Sequence, residues 1–196
     1  MIQGTPEWFQ ERVGRITASR FGDVIANPKT KRYNNYKTEL ALELSGTPVF
    51  ENDAPWHDHG KEMEPRGRGT YSFMTDNDVK EIGVIVHPKY DFISCSPDGI
   101  IGDSGGLEIK SRISHKAHIK CVEKGMPSEH KAQVQGSLWV TGREWWDFVS
   151  YFEDPDGLID SDITIDRIYP DEKYHKKLEK ACLKFWDAVQ EKLKCK

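Results

Sequence analysis

Ser94-Cys95-Ser96-Pro97-Asp98-Gly99, followed shortly by Gly106-Leu107-Glu108-Ile109-Lys110, is the part of this 196-residue chain whose reading decides the fold. In an extended strand, residues two apart share a face. Glu108 and Lys110 therefore point the same way, and Ile109 points into the core. Asp103-Ser104-Gly105-Gly106 has the composition of a hairpin turn. Such a turn folds the Asp98 end of one strand back onto the Glu108–Lys110 strand, so that two carboxylates and an ammonium meet. Two carboxylates that close stay ionised together only when a positive charge lies between them. Mg²⁺ suits the place, because it takes oxygen ligands and keeps waters for phosphate substrates. Beside it Lys110 would orient or deprotonate an attacking water, or steady the charge of a pentacovalent phosphorus. As a base, Lys110 would need a lowered pKa. The chemistry that this set supports is phosphodiester hydrolysis. An Asp-Gly near a turn or an E-x-K alternation is ordinary alone; the two together, across a glycine turn, carry the reading.

Working outward, the middle of the chain reads as sheet. Short β-rich runs fall at Val79–His87, Phe92–Cys95, Gly99–Ile101 and Gly106–Lys110, with an alternating strand at Trp145–Phe152 and another at Ile163–Ile168. Trp145, Trp146, Phe148 and Phe152 read as core. Helices are predicted over Lys116–Lys124, Ser128–Val140 and Asp171–Lys194, the last with an apolar stripe of Tyr174, Leu178, Ala181, Phe185, Ala188 and Val189. N-terminal to the sheet, Thr5 to Ala26 reads as a short helix, a break at Gly14 and a second helix capped by Thr17 or Ser19. Tyr36–Leu44 is helical and stops at Gly46. Residues 47–59 read as a loop, and a helix follows between Gly60 and Phe73 with Pro65 in its first turn. This order predicts an α+β domain, a central mixed sheet flanked by helices, as one unit over residues 1–196.

The bulk properties are permissive. Hydrophobic residues make up 37% of the chain and charged residues 31%, enough for a core and ordinary for a globular protein. The longest apolar runs, Ile82–Val86 and Gly99–Ile101, are too short to span a bilayer, and no secretory signal is visible at the N-terminus. A cytoplasmic protein is expected. Cys95, Cys121, Cys182 and Cys195 form no CxxC pair and read as free thiols. The net charge of −4 argues against a general nucleic-acid coat protein. The first forty residues nevertheless carry Arg12, Arg15, Arg20, Lys29, Lys31, Arg32 and Lys37 against four acids, a local basic surface or a mixed solvated one.

Five ordered motifs resemble the lambda exonuclease (YqaJ-type viral recombinase) family of the PD-(D/E)xK nuclease superfamily. They are Trp8 to Ser19 (W-F-Q-E-R-V-G-R-I-T-A-S), Gly60 to Pro65 (G-K-E-M-E-P), Cys95 to Gly99, Gly106 to Lys110, and Ala132-Gln133-Val134-Gln135 with Trp139-Val140-Thr141. The resemblance implies a restriction-endonuclease-like core with Glu64, Asp98 and Glu108 as metal-binding carboxylates. The Ile109 carbonyl would be a further ligand and Lys110 the catalytic lysine. Gln133 would hold the water or the scissile phosphate. Two residues apart on a helix, Gln133 and Gln135 point about 200° apart, and the resemblance selects Gln133. Arg12 and Ser19 would bind the 5′-terminal phosphate, with Ser96 beside them, the start of the Ser19 helix being a sensible anion site.

The resemblance further implies a Mg²⁺-dependent 5′→3′ exonuclease on double-stranded DNA ends, with Mn²⁺ as a substitute. It would release mononucleotides and leave a 3′ strand for a single-strand annealing protein in phage-type recombination. The assembly would be a ring-shaped homotrimer, encoded by a prophage or acting in a bacterial host. Two alternatives stay open: an endonuclease of the same superfamily, and a catalytically inactive DNA-binding protein. The opening motif speaks against the first, since an endonuclease has no terminal phosphate to bind; the intact acidic set speaks against the second. His57 and His59 have no third ligand at zinc-type spacing and read as solvated or DNA-contacting loop residues. Trp56 reads as an interface, core or base-stacking residue.

Overall fold

A computed structural model of the chain describes residues 3–47, 55–154, 156–158 and 160–194. The side chains of Trp56, His57 and His59 lie outside the described residues.

Thr5 and Pro6 set the first helix, α1 (Pro6–Arg12): the Thr5 hydroxyl accepts the Trp8 N–H, and proline occupies a position where no amide partner is needed. Gly14 follows at φ +74, a conformation that favours glycine. The second helix expected after it is not continuous. Ile16–Thr17 forms strand β1, Ala18–Arg20 a 3₁₀ turn, and Phe21–Val24 a short helix α2. Thr17, one of the two expected caps, precedes the 3₁₀ turn, and the buried Ile16 before it pairs with Ile93.

Helix α3 (Lys31–Leu44) starts five residues before the predicted Tyr36 and buries Tyr33, Tyr36, Leu40 and Ala41 along one stripe. Helix α4 (Pro55–Thr75) also begins earlier than the predicted Gly60, so Pro65 lies in its interior rather than its first turn. Tertiary packing outweighs that local defect: Tyr71 is fully buried, and at Gly67 a Cβ would stand 3.2 Å from Ile109 and 3.3 Å from Tyr151.

The sheet residues fall into β2 (Val79–Lys80), β3 (Ile85–Val86), β4 (Ile93–Cys95), β5 (Gly99–Ile101), β6 (Gly105–Arg112), β7 (Trp145–Phe152) and β8 (Asp162–Ile168). The expected single sheet divides in two. A five-stranded mixed sheet runs β2-β5-β6-β7-β8, with only β6 and β7 parallel, and a small sheet runs β1-β4-β3. The hairpin turn sits at residues 102–104, with Gly102 at φ +50, not at 103–106. Gly105 and Gly106 belong to β6 because Trp145 and Trp146 fill the adjoining space; a Cβ at either glycine would approach an indole to 2.3 Å.

Between β6 and β7 lie α5 (His115–Lys124), a 3₁₀ turn at Ser128–His130 and α6 (Lys131–Thr141); α7 (Glu172–Lys194) ends the described chain. On one face of the large sheet α4 packs Tyr71 over Leu107, Ile109, Val149 and Tyr151. On the other, Cys121 of α5 and Val134 and Leu138 of α6 cover Trp146 and Phe148. Alternation along β6 thus sends Ile109 under α4 and Glu108 with Lys110 toward α6, as the strand reading required. A third cluster joins α3, α7 and the small sheet, with Phe185 between the rings of Tyr33 and Tyr36. Among the described residues no helix is long and apolar enough to cross a membrane.

Candidate active site

The β5–β6 register pairs Gly99 with Leu107 and so sets Asp98 opposite Glu108. The Asp98 main-chain N–H donates to the Leu107 carbonyl at 3.1 Å, and its Oδ2 accepts the Ile109 N–H at 2.6 Å. The Lys110 ammonium lies 2.6 Å from Glu108 Oε1, and Gln133 Nε2, arriving on α6, donates to the same oxygen at 2.6 Å. Glu108 is 1% exposed, so its oxygens depend on these donors rather than on water. Gln135 points away and binds the Tyr169 carbonyl and the Asp171 N–H, tying α6 to the start of α7.

Glu64 enters from α4 and is held by Arg68, one turn later on the same helix. Arg68 also donates to the Asp98 carbonyl at 2.9 Å and pairs with Glu81 at 2.6 Å. Sequence reasoning missed this arginine; the Glu-x-x-x-Arg spacing of a helical ion pair could have found it. A second missed residue is Arg112, which continues the Glu108, Lys110 alternation on one face of β6.

The electrostatics are those of crowded negative charge. Burial pushes the Asp98 carboxyl well above the ordinary aspartate range, and Glu108 and Glu64 push it further. Burial likewise raises Glu64, against the pull of Arg68. Burial alone would lower the Lys110 ammonium, but Glu108 and Asp98 outweigh it and hold the group above its usual value. With no dication beside it, Lys110 thus holds its proton as a cation between the two carboxylates. Burial, with Glu108 nearby, also raises the Cys95 thiol, which keeps it protonated.

Among the described residues no three His, Cys, Asp or Glu side chains form a ready-made metal cage. The donor set nonetheless fits a hard dication. Mg²⁺ uses one or two carboxylates and keeps several waters. Asp98 immediately precedes β5 and accepts the Ile109 N–H, Glu108 and the Ile109 carbonyl follow one another on β6, and the raised Asp98 carboxyl marks a place where added positive charge would relieve repulsion.

The other expected site residues divide. Arg12 reaches Ser96, donating to its Oγ at 3.0 Å with the guanidinium 4.2 Å from the Trp8 ring. Ser19 instead shares a hydrogen bond with Thr17 at 3.2 Å and lies inside the 3₁₀ turn, so the regular helix N-terminus expected to hold a phosphate there is not formed.

Known proteins share the sequence pattern and the fold of this chain. The family model described as YqaJ-like viral recombinase domain matches residues 7–144. An alkaline exonuclease from Laribacter hongkongensis superposes with a TM-score of 0.85 at 35% identity, over 97% of this chain and 95% of that one, and its complex with dAMP matches equally. A phage-related exonuclease from Haemophilus somnus superposes at 0.73 with 17% identity, over 92% of this chain and 95% of that one, a likeness of fold. An uncharacterized protein of Acanthamoeba polyphaga mimivirus is 29% identical over 92% of this chain, which spans only 35% of that relative's length.

Proposed function

The chain belongs to the YqaJ-like viral recombinase family, and from that premise we propose that it is a Mg²⁺-dependent 5′→3′ exonuclease acting on double-stranded DNA ends. The observation that carries the proposal is Asp98 set opposite Glu108, with Lys110 and Gln133 both 2.6 Å from the Glu108 carboxylate. An exonuclease at 35% identity over nearly the whole chain supports the reaction class, and that relative's complex with dAMP supports a mononucleotide product.

Asp98, Glu108 and the Ile109 carbonyl would hold the ion, with Glu64 as a further carboxylate once released from Arg68; Mn²⁺ is expected to substitute. When bound, the dication polarises a phosphoryl oxygen and lowers the pKa of a coordinated water. Lys110 presents its ammonium to the charge that develops on the phosphate oxygens. Gln133 holds the attacking water or the scissile phosphate through its amide. Arg12 and Ser96, already joined, receive the 5′-terminal phosphate, with Ser19 at the margin of that pocket. Cleavage then leaves a 3′ strand for a single-strand annealing protein. A ring-shaped homotrimer around the DNA, in the cytoplasm of a bacterial host, completes the proposal.

Digestion of end-labelled linear duplexes with 5′-phosphate or 5′-hydroxyl ends, with and without Mg²⁺, tests it. Early release of 5′ label as mononucleotide, only with Mg²⁺ and faster from phosphorylated ends, is expected. Early release of 3′ label would reverse the polarity, and cutting of closed circular duplex would favour an endonuclease.

A further inference from the structure

Arg112 is two residues beyond Lys110 on the same face of β6, about 6.6 Å further along the strand. Its guanidinium differs in its surroundings from most others in the molecule. Arg15, Arg20, Arg32, Arg66, Arg68 and Arg167 each pair with a carboxylate. Arg112 has neutral and distant partners: Ser150 Oγ at 3.4 Å, Cys121 Sγ at 3.5 Å and His130 Nε2 at 3.4 Å. No carboxylate among the described residues lies within ion-pair distance of it. An arginine can only donate, so His130 Nε2 accepts and the ring carries its proton on Nδ1. Burial, and then the charges of Lys110 and Arg112, lower His130 to about 3, so the ring stays a neutral acceptor. His130 is itself stacked on Phe148, with ring centroids 5.1 Å apart, and the Arg112 guanidinium lies 5.9 Å from the same Phe148 ring. The guanidinium is thus half-buried and oriented, close enough to a second cation to act on it, and without a counter-charge.

A side chain placed this way lacks an anion. We propose that Arg112, oriented by His130 and Phe148, binds a backbone phosphate of the DNA strand next to the scissile one. The planar fork of donors matches two phosphate oxygens, whereas the three weak neutral contacts leave it free to turn to them. This subsite rests on the exonuclease reading and adds to it a residue that grips the strand beside the metal ligands.

The test is binding of a fluorescein-labelled, 5′-phosphorylated duplex by anisotropy, with Ca²⁺ replacing Mg²⁺ to suppress cleavage, over a range of salt. Arg112→Gln should weaken binding and lower the slope of log K against log salt by about 0.9, the share of one phosphate contact. Arg112→Lys, which keeps the charge, should retain the slope. Methylphosphonate at the phosphate adjoining the scissile bond, which removes one charge from the DNA, should weaken binding by the wild-type protein but have no further effect on Arg112→Gln. An unchanged slope in a folded Arg112→Gln overturns the proposal. So does a wild-type protein indifferent to that methylphosphonate, a result that does not depend on the variant folding. Parallel digestion by the wild type with Mg²⁺ separates the two readings: no shortening of linear duplex sinks the exonuclease, while shortening with no phosphate effect sinks only the Arg112 subsite.

Discussion

Asp98 accepts the main-chain N–H of Ile109 at 2.6 Å, so the loop before β5 is fastened to the residue between Glu108 and Lys110. One bond thereby sets the separation of the two strands on which the chemistry depends. It also holds the Asp98 carboxyl in a place where burial and the charges of Glu108 and Glu64 oppose its ionisation.

That opposition has a measurable sign. A carboxyl whose folded pKa lies above its ordinary value binds its proton more tightly in the folded state, so its contribution to stability falls as pH rises past that ordinary value. At pH 8 without divalent metal, Asp98→Asn should therefore melt at a higher temperature than the wild type. The upward shift in Tm that Mg²⁺ gives the wild type should be absent from the variant. Thermal melts with chelator and with Mg²⁺ check both; a variant that is less stable in chelator yet still stabilised by Mg²⁺ would contradict the assignment.

Lys110→Ala and Gln133→Ala each remove a donor from Glu108 Oε1 and, on the proposed mechanism, from the reacting phosphate or its attacking water. Each should lower the single-turnover rate by about 10²-fold or more, with DNA binding largely kept. The double variant should lose less than the product of the two, because both act on one oxygen. A near-wild-type rate in either single variant would remove that residue from the mechanism.

Arg12 binds Ser96, two residues before Asp98, and lies over Trp8. Arg12→Ala should erase the preference for 5′-phosphorylated over 5′-hydroxyl ends while hydroxyl ends are still digested. Rates on the two substrates give the ratio, and an unchanged ratio would move the phosphate pocket elsewhere.

His130 is neutral in the fold and lowered to about 3 from 6.5. In the unfolded chain it gains a proton at the higher pH, so the stability it contributes is complete above about pH 6.5 and declines as pH falls toward 3. His130→Asn should flatten that part of the Tm–pH profile; superimposable profiles would show that the ring does not stay neutral.

The sequence made the site more legible than the fold around it. Glu108, Ile109 and Lys110 could be assigned faces because alternation in a strand is strict; a helix turning 100° per residue allowed only one of Gln133 and Gln135 to face the site, and the family resemblance selected Gln133. The β7 strand was equally clear, with Trp146, Phe148 and Phe152 in the core, but Trp145, also read as core, is only half-buried, under the Arg167 guanidinium. From Ala18 to Val24 the chain is helical as expected, but its division into a 3₁₀ turn and a short helix, and the pairing of Ile16 with Ile93 just before it, are set by residues far away in the chain. The turn was displaced because Gly105 and Gly106 look like turn residues, whereas they are small to admit Trp145 and Trp146. Arg68 was within reach of its i,i+4 spacing from Glu64, but its bond to Asp98, like the contacts of Arg112, is decided by elements that meet only in three dimensions.

The most direct test is the anomalous signal from a crystal soaked in manganese. One strong peak is predicted within about 2.2 Å of an oxygen of Asp98, an oxygen of Glu108 and the Ile109 carbonyl, the range of hard-cation bonds. A well-ordered crystal with Asp98 and Glu108 turned to separate places, and no peak between them, would contradict the account.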